Sequence, residues 1–132
     1  MKHFAAISRI PGVRLINLHK GEGEGQLNDL PEGMTVETHG DDFDAGLDAI
    51  LDTAAVMTLC DLVVTSDTAV AHLAGALGAR TWVALKAIPD WRWMLERDDS
   101  PWYPTLRLFW QRVRGDWEAV FREIEEAVKA LL

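Results

Sequence analysis

The last part of the chain carries the sharpest pattern. Trp117, Val120, Phe121, Ile124, Val128 and Leu131 recur at a helical period, and Gly115-Asp116 supplies a start signal. Arg122 and Glu126, and Glu125 and Lys129, are spaced four apart on its polar side. Upstream, short apolar runs replace that period. LVVT (Leu62 to Thr65) and TWVAL (Thr81 to Leu85) are continuous, as in parallel strands covered on both faces. LRLFW, Leu106 to Trp110, reads as a last strand at a sheet edge. VRLINL, Val13 to Leu18, reads as the first strand, and Met34 to Thr38 as a short one. Helices are expected over residues 3–10, stopped by Pro11-Gly12, and around Gln26 to Leu30, Phe43 to Leu51 and TAAVMTLC, the last capped by Asp52 or Thr53. Lys20 to Gly25, KGEGEG, is a loop. Strands alternating with helices predict one α/β domain over residues 1–132, a Rossmann-like three-layer sandwich with a mainly parallel sheet.

One junction in this pattern carries chemistry. The strand LVVT runs through Thr65-Ser66-Asp67-Thr68 directly into the helix DTAVAHLAGALG, closed by Gly78. In open parallel sheets ligands collect beyond the carboxyl ends of strands. There a helix N-terminus offers unpaired N–H groups and a positive dipole end, which suit a diphosphate. Ser66 and Thr68 add hydroxyl groups. Val70, Leu73, Ala74 and Leu77 form an apolar stripe, while Thr68, His72 and Gly75 fall opposite, with Thr68 and His72 stacked four apart. Small residues at Ala71, Ala74, Gly75 and Ala76 permit close helix packing. The residues alone fit a plainer reading better, with Asp67 as an N-cap and His72 as a surface or boundary histidine.

Composition narrows the partners. The formal charge is -8, from 21 acids against 13 bases, which opposes nucleic acid and anionic membrane surfaces. No apolar run approaches the ~20 residues of a membrane span. Cys60 is the only cysteine, so no internal disulfide forms and a reducing, cytoplasmic setting is expected. Cys60 itself reads as a packed thiol. His3, His19, His39 and His72 show no metal-ligand spacing, and Asp41, Asp42 and Asp44 lack the calcium-loop pattern. A phosphorelay receiver would use Asp41-Asp42, Asp67 and Lys86, but the acidic pair follows no buried strand and Asp67 lies too near Lys86.

Four stretches carry a resemblance. VRLINLHKG, CDLVVTSDTAVAHLAGALGARTWVAL, PDWRWMLERDDSPWYPTLRLFWQ and GDWEAV, together most of residues 11–120, are similar to the C-terminal domain of heptosyltransferase-like enzymes, glycosyltransferase family 9. The versions at the end of bacterial tetratricopeptide-repeat proteins look most alike. The resemblance implies the nucleotide-sugar-binding half of a GT-B glycosyltransferase. Its partners would be a nucleotide-diphosphate sugar and either a separate acceptor domain or a second copy, with no cofactor. In the family the Asp-Thr-(Gly/Ala) turn contacts donor phosphates, which carries onto Asp67, Thr68 and Ala69 beside Ser66. The histidine one turn later, here His72, lies by the nucleotide. Lys20, ending a family-like LHKG stretch, faces either the same cleft or solvent. A non-catalytic remnant or interaction module on the same fold is the alternative.

The resemblance also sets two expectations about what is absent. The family sheet has the order 3-2-1-4-5-6 and begins with a central strand and phosphate-binding loop not found here. VRLINL and LVVT are therefore expected to pair directly, with a swapped or dimeric sheet as the other solution. The family's catalytic base lies in an N-terminal domain, so activity is not expected from this chain alone. Finally, Pro89 to Pro104 holds Trp91, Trp93, Trp102 and Tyr103. These make either an aromatic shelf with Arg92 near phosphate, or a brace that locks a long connection, with Arg92 paired to Asp90, Glu96 or Asp98.

Overall fold

A computed structural model describes residues 1–132. Its centre is a three-stranded parallel sheet in the order β1-β2-β3, with β1 Val63–Ser66, β2 Thr81–Leu85 and β3 Leu106–Trp110. Val63 lies opposite Thr81, and Thr81 opposite Leu106. All five residues of β2 are buried, because this strand is paired on both edges and covered on both faces. The β3 strand is not a bare edge: its Leu108 N–H donates to the Asp98 carbonyl, and Arg107 bridges Asp99.

Strand alternation sorts the core into two faces. On one, Trp82, Ala84 and Phe109 pack against Ile7, Val120, Ile124 and Val128. The last three lie on α4, Trp117–Leu131, whose predicted stripe faces the core except at Leu131, which is exposed. The Asp116 carboxylate caps α4 by accepting the Ala119 N–H at 3.1 Å. Lys129 pairs with Glu125 at 2.7 Å, as the spacing predicts, whereas Arg122 makes no ion pair with Glu126. On the other face, Val83, Leu85, Leu106 and Leu108 meet Ala71 and Trp93. Ala71 belongs to α3, Ala69–Ala76, which also packs Val70, Leu73 and Ala74 around Met57 and Val63. Leu77, placed in that stripe by sequence, is instead 41% exposed beyond the helix end. Helices on both sheet faces give the three-layer α/β sandwich.

Several expectations fail upstream. No helix spans Phe43 to Leu51; the segment is a series of turns, and α2 covers Leu51–Leu59. Neither Asp52 nor Thr53 caps it. The Asp44 carboxylate reaches forward to accept the N–H groups of Asp52 and Thr53 and the Thr53 hydroxyl. Residues 3–10 contribute only a 3-10 turn, Lys2–Phe4, and the four-residue α1, Ala5–Ser8. The Gln26–Leu30 helix shrinks to a 3-10 turn, Glu24–Asn28.

A further correction concerns the sheet. Val13–Leu18 does not pair with β1, and neither it nor Met34–Thr38 forms a strand. They share one parallel bridge, Ile16 to Glu37. The Asn17 N–H donates to the Glu37 carbonyl and the Glu37 N–H to that of Leu15, while Arg14 clamps the Glu37 carboxylate at 2.7 and 2.8 Å. Val13 and Leu15 are docked into one core and Leu18 into another. Side-chain packing therefore fixes the segment beside the sheet without a ladder to β1. Residues 1–10 do not fill the position either, being helical. Val63 donates its N–H toward the β2 side, to Arg80, so by alternation Val64 directs its N–H and C=O away from β2. Neither group finds a partner there. Ile16, between the bonded Leu15 and Asn17, likewise turns its backbone groups away from Glu37.

Two outcomes follow. In native-state hydrogen exchange, the Val64 amide will exchange much faster than that of Thr65, which faces β2; equal protection would contradict the open edge. Ile124→Ala, at a fully buried site, will lower unfolding free energy by about 2–5 kcal/mol in denaturant titration.

Candidate functional site

The turn between β1 and α3 is open. Ser66, Thr68 and Ala69 are exposed and Asp67 is half-buried. Thr68 occupies the N-cap with extended backbone, yet no side chain caps the helix, and Asp67 makes no side-chain hydrogen bond. The Thr68 hydroxyl lies 3.2 Å from that of Thr65. The Thr68 N–H donates to the Ser66 carbonyl and the Ala71 N–H to that of Thr68. Ala69 and Val70 are left with amides that meet no acceptor. These are the orphan donors of a helix start, at its positive dipole end. Asp67 is thus no N-cap, contrary to the plainer reading.

One turn along α3, His72 reaches a cavity of about 610 Å³ lined by His72, Trp91, Arg92, Trp102 and Tyr103. Its size suits a small-molecule ligand. His72 is held on two sides. Trp93 stacks on its ring at 5.2 Å between centroids and 22° between planes, and the Tyr103 hydroxyl lies 3.1 Å from Nδ1. Tyr103 reaches that place across Gly75, where an added Cβ would sit 2.5 Å from the Tyr103 Cγ. Any side chain at position 75 would therefore push the phenol aside. The backbone around Tyr103 is pinned by the Ser100 hydroxyl, which accepts the N–H groups of Trp102 and Tyr103 at 3.2 and 3.3 Å.

The tryptophans divide between the two readings. Trp93 is fully buried and braces the connection against the sheet. Its indole N–H has no partner, a penalty of about 1–3 kcal/mol set against the large apolar area of the ring. Trp91 and Trp102 are 73% and 57% exposed and stand at the cavity mouth. The Trp102 indole donates to the Arg92 carbonyl at 2.9 Å. Arg92 lies over the Trp91 ring at 5.0 Å and pairs with Asp90 at 2.8 Å. The ring brings a flat apolar surface and the guanidinium a charge that can change partners.

Asp90 also accepts the Arg92 backbone N–H at 3.0 Å. That bond, with the Arg92 guanidinium and the nearby His72, holds its carboxyl below the ordinary aspartate range despite desolvation. Lys20 takes no part in the cavity. It is exposed and its ammonium donates to the Phe43 carbonyl. A separate groove of about 470 Å³ on α4 is lined by Arg107, Arg122, Glu123 and Glu126 with two alanines; its charges are mixed and converge on no common point. Cys60 is half-buried, and burial with Asp61 nearby raises its thiol pKa, which disfavours the thiolate.

The structure thus brings His72, Trp91 and Arg92 into one cavity, places Ser66, Asp67, Thr68 and Ala69 on the open turn at the foot of the same helix, and leaves Lys20 outside. Sequence reasoning left Trp102 between shelf and brace, and missed Tyr103 as the partner of His72. Their signal was the Ser100-Pro101-Trp102-Tyr103-Pro104 run, whose prolines mark a fixed turn.

Fold and site define a Rossmann-like α/β domain with an open strand-to-helix turn and an aromatic, arginine-bearing cavity beside it. No family model matches the chain, and no solved structure matches it significantly. Protein FlbA of Caulobacter vibrioides (strain ATCC 19089 / CIP 103742 / CB 15) is 33% identical over 122 residues, covering 90% of this chain and 20% of FlbA. The chain spans about a fifth of the length of that relative. No helix is long and apolar enough to cross a membrane.

Asp90 gives a pH prediction. Its pKa is lowered on folding, so its ionised form stabilises the Asp90–Arg92 turn above the unfolded aspartate pKa of ~3.9. That contribution is lost as pH falls through the lowered folded value. A carboxyl ¹³C titration will place the Asp90 midpoint below ~3.9; a midpoint at or above it would contradict the geometry.

Proposed function

We propose that the chain is the donor-binding part of a glycosyltransferase, taking a nucleotide-diphosphate sugar. The observation that carries this reading is the pair of unpartnered amides, Ala69 and Val70, at an open helix start whose next turn presents His72 to an aromatic cavity. A diphosphate satisfies those amides and the dipole, with Ser66 and Thr68 as added hydroxyl donors. Trp91 or Trp102 offers a face for a base or sugar, and Arg92 can leave half-buried Asp90 for a phosphate oxygen. The resemblance to glycosyltransferase family 9 supports the same assignment.

In the transfer, the acceptor oxygen forms a bond to the sugar's anomeric carbon as the bond from that carbon to the diphosphate oxygen breaks. The electron pair leaves on the diphosphate, where the α3 amides and His72 stabilise the growing charge. The acceptor's proton goes to a base on an acceptor domain. This division of labour suits the cavity, whose lining includes no carboxylate. The same feature favours a second reading, a module that binds a nucleotide and transfers nothing.

Titration with UDP, ADP and GDP, followed by ¹H–¹⁵N NMR, tests the proposal. One of them will shift Ala69, Val70 and His72 together. Arg92→Ala will weaken that binding roughly 10- to 100-fold, the scale of a charge-assisted hydrogen bond. No shift at millimolar nucleotide would end the donor reading. Binding without sugar transfer when an acceptor-domain polypeptide is added would favour the module.

A further inference from the structure

We infer that Tyr103 is a positioning residue that sets the tautomer of His72, so that the imidazole offers an Nε2–H donor to whatever occupies the cavity. The inference rests on the reading of that cavity as a binding site. Its structural core is independent of any ligand.

A neutral imidazole carries one proton, and the partner of one nitrogen decides what the other can do. His72 Nδ1 faces the Tyr103 hydroxyl at 3.1 Å, and Nε2 has no hydrogen bond in the protein. Tyr103 has no hydrogen-bond acceptor for its phenolic proton other than this nitrogen. If the phenol donates to Nδ1, its proton is satisfied and the ring proton resides on Nε2. If Nδ1–H donated instead, the half-buried phenolic proton would be left without a protein partner. Phenols are also better donors than acceptors. The Nε2–H form therefore follows, and it is the form that can donate to an anionic oxygen.

The ring is restrained as well as protonated in one way. Trp93 stacks on its face and Tyr103 meets it edge-on, with centroids 5.8 Å apart and planes at 64°. The restraint depends on Gly75, because an added Cβ there would lie 2.5 to 2.9 Å from three Tyr103 ring atoms. Ser100 fixes the other end by holding the Tyr103 amide. Gly75, Ser100 and Trp93 all serve the same hydroxyl-to-nitrogen contact.

Long-range ¹H–¹⁵N spectra of the His72 ring test this on the whole chain without nucleotide, at about pH 8, above the ordinary histidine range. The wild type will show the Nε2–H pattern. Tyr103→Phe, which removes one oxygen and keeps the ring, will shift the pattern toward a mixture of tautomers. Gly75→Ala, which displaces the phenol, will do the same. A wild-type ring protonated on Nδ1, or an unchanged pattern in Tyr103→Phe, would overturn the inference. Titrating the wild type and Tyr103→Phe with UDP, ADP and GDP separates the two readings. Binding that is about tenfold weaker in Tyr103→Phe supports both. The expected tautomer change with no nucleotide binding to the wild type upholds the positioning role and defeats the donor site.

Discussion

Everything in this domain is arranged around the full burial of β2. Pairing on both edges satisfies its backbone, and its side chains, apolar on both faces apart from Thr81, are covered above and below. Trp82 and Ala84 face α4 and the N-terminal turns, whereas Val83 and Leu85 face α3 and Trp93. Those two demands fix the helices on opposite sides of the sheet. They also force the chain leaving β2 to travel over the α3 face before it can return as β3. The cavity lies along that path, between α3 and the returning connection.

How legible was this from the residues? The elements with a strong, continuous pattern could be read closely. The 3.6-residue stripe of α4 and the uninterrupted runs of β1, β2 and β3 each leave one reasonable burial solution. The first half of the chain was harder. Phe43 to Leu51 has an apolar spacing that permits a helix, but Gly46 and the backbone of Asp44 and Ile50, both at positive φ, break it into turns. Val13–Leu18 has strand-like composition, yet composition cannot tell pairing with β1 from packing beside it. The Arg14–Glu37 clamp and the docked Leu15 and Leu18 decide that, and they are long-range facts.

The site was legible in a similar, partial way. His72 could be placed in the helix from spacing alone, whereas Thr68, expected on the same face, is the extended N-cap; the turn at Ser66–Ala69 followed from a strand meeting a helix. Tyr103 was not foreseeable as the partner of His72, since the two lie 31 positions apart. Gly75 was read as a small residue that permits close approach, but the approaching group is an aromatic ring from the connection rather than another helix. Lys20 illustrates the opposite limit. A lysine after a strand-like run suggests a cleft, but the Phe43 carbonyl, 23 positions along the chain, captures it.

The path from β2 to β3 gives the cavity two unlike walls. One is the short helix α3, tied into the cores through Ala71 and Ala74. The other is residues 86–105, whose regular structure amounts to one 3-10 turn, Trp91–Trp93. That wall is held by the Asp90 and Ser100 contacts, the buried Trp93 ring and the ties of Arg97, Asp98 and Asp99 to β3. Regions with few backbone bonds open at lower free energy than packed helices. Trp91, Arg92 and Trp102 therefore stand on a wall fixed contact by contact, whereas His72 stands on a packed helix.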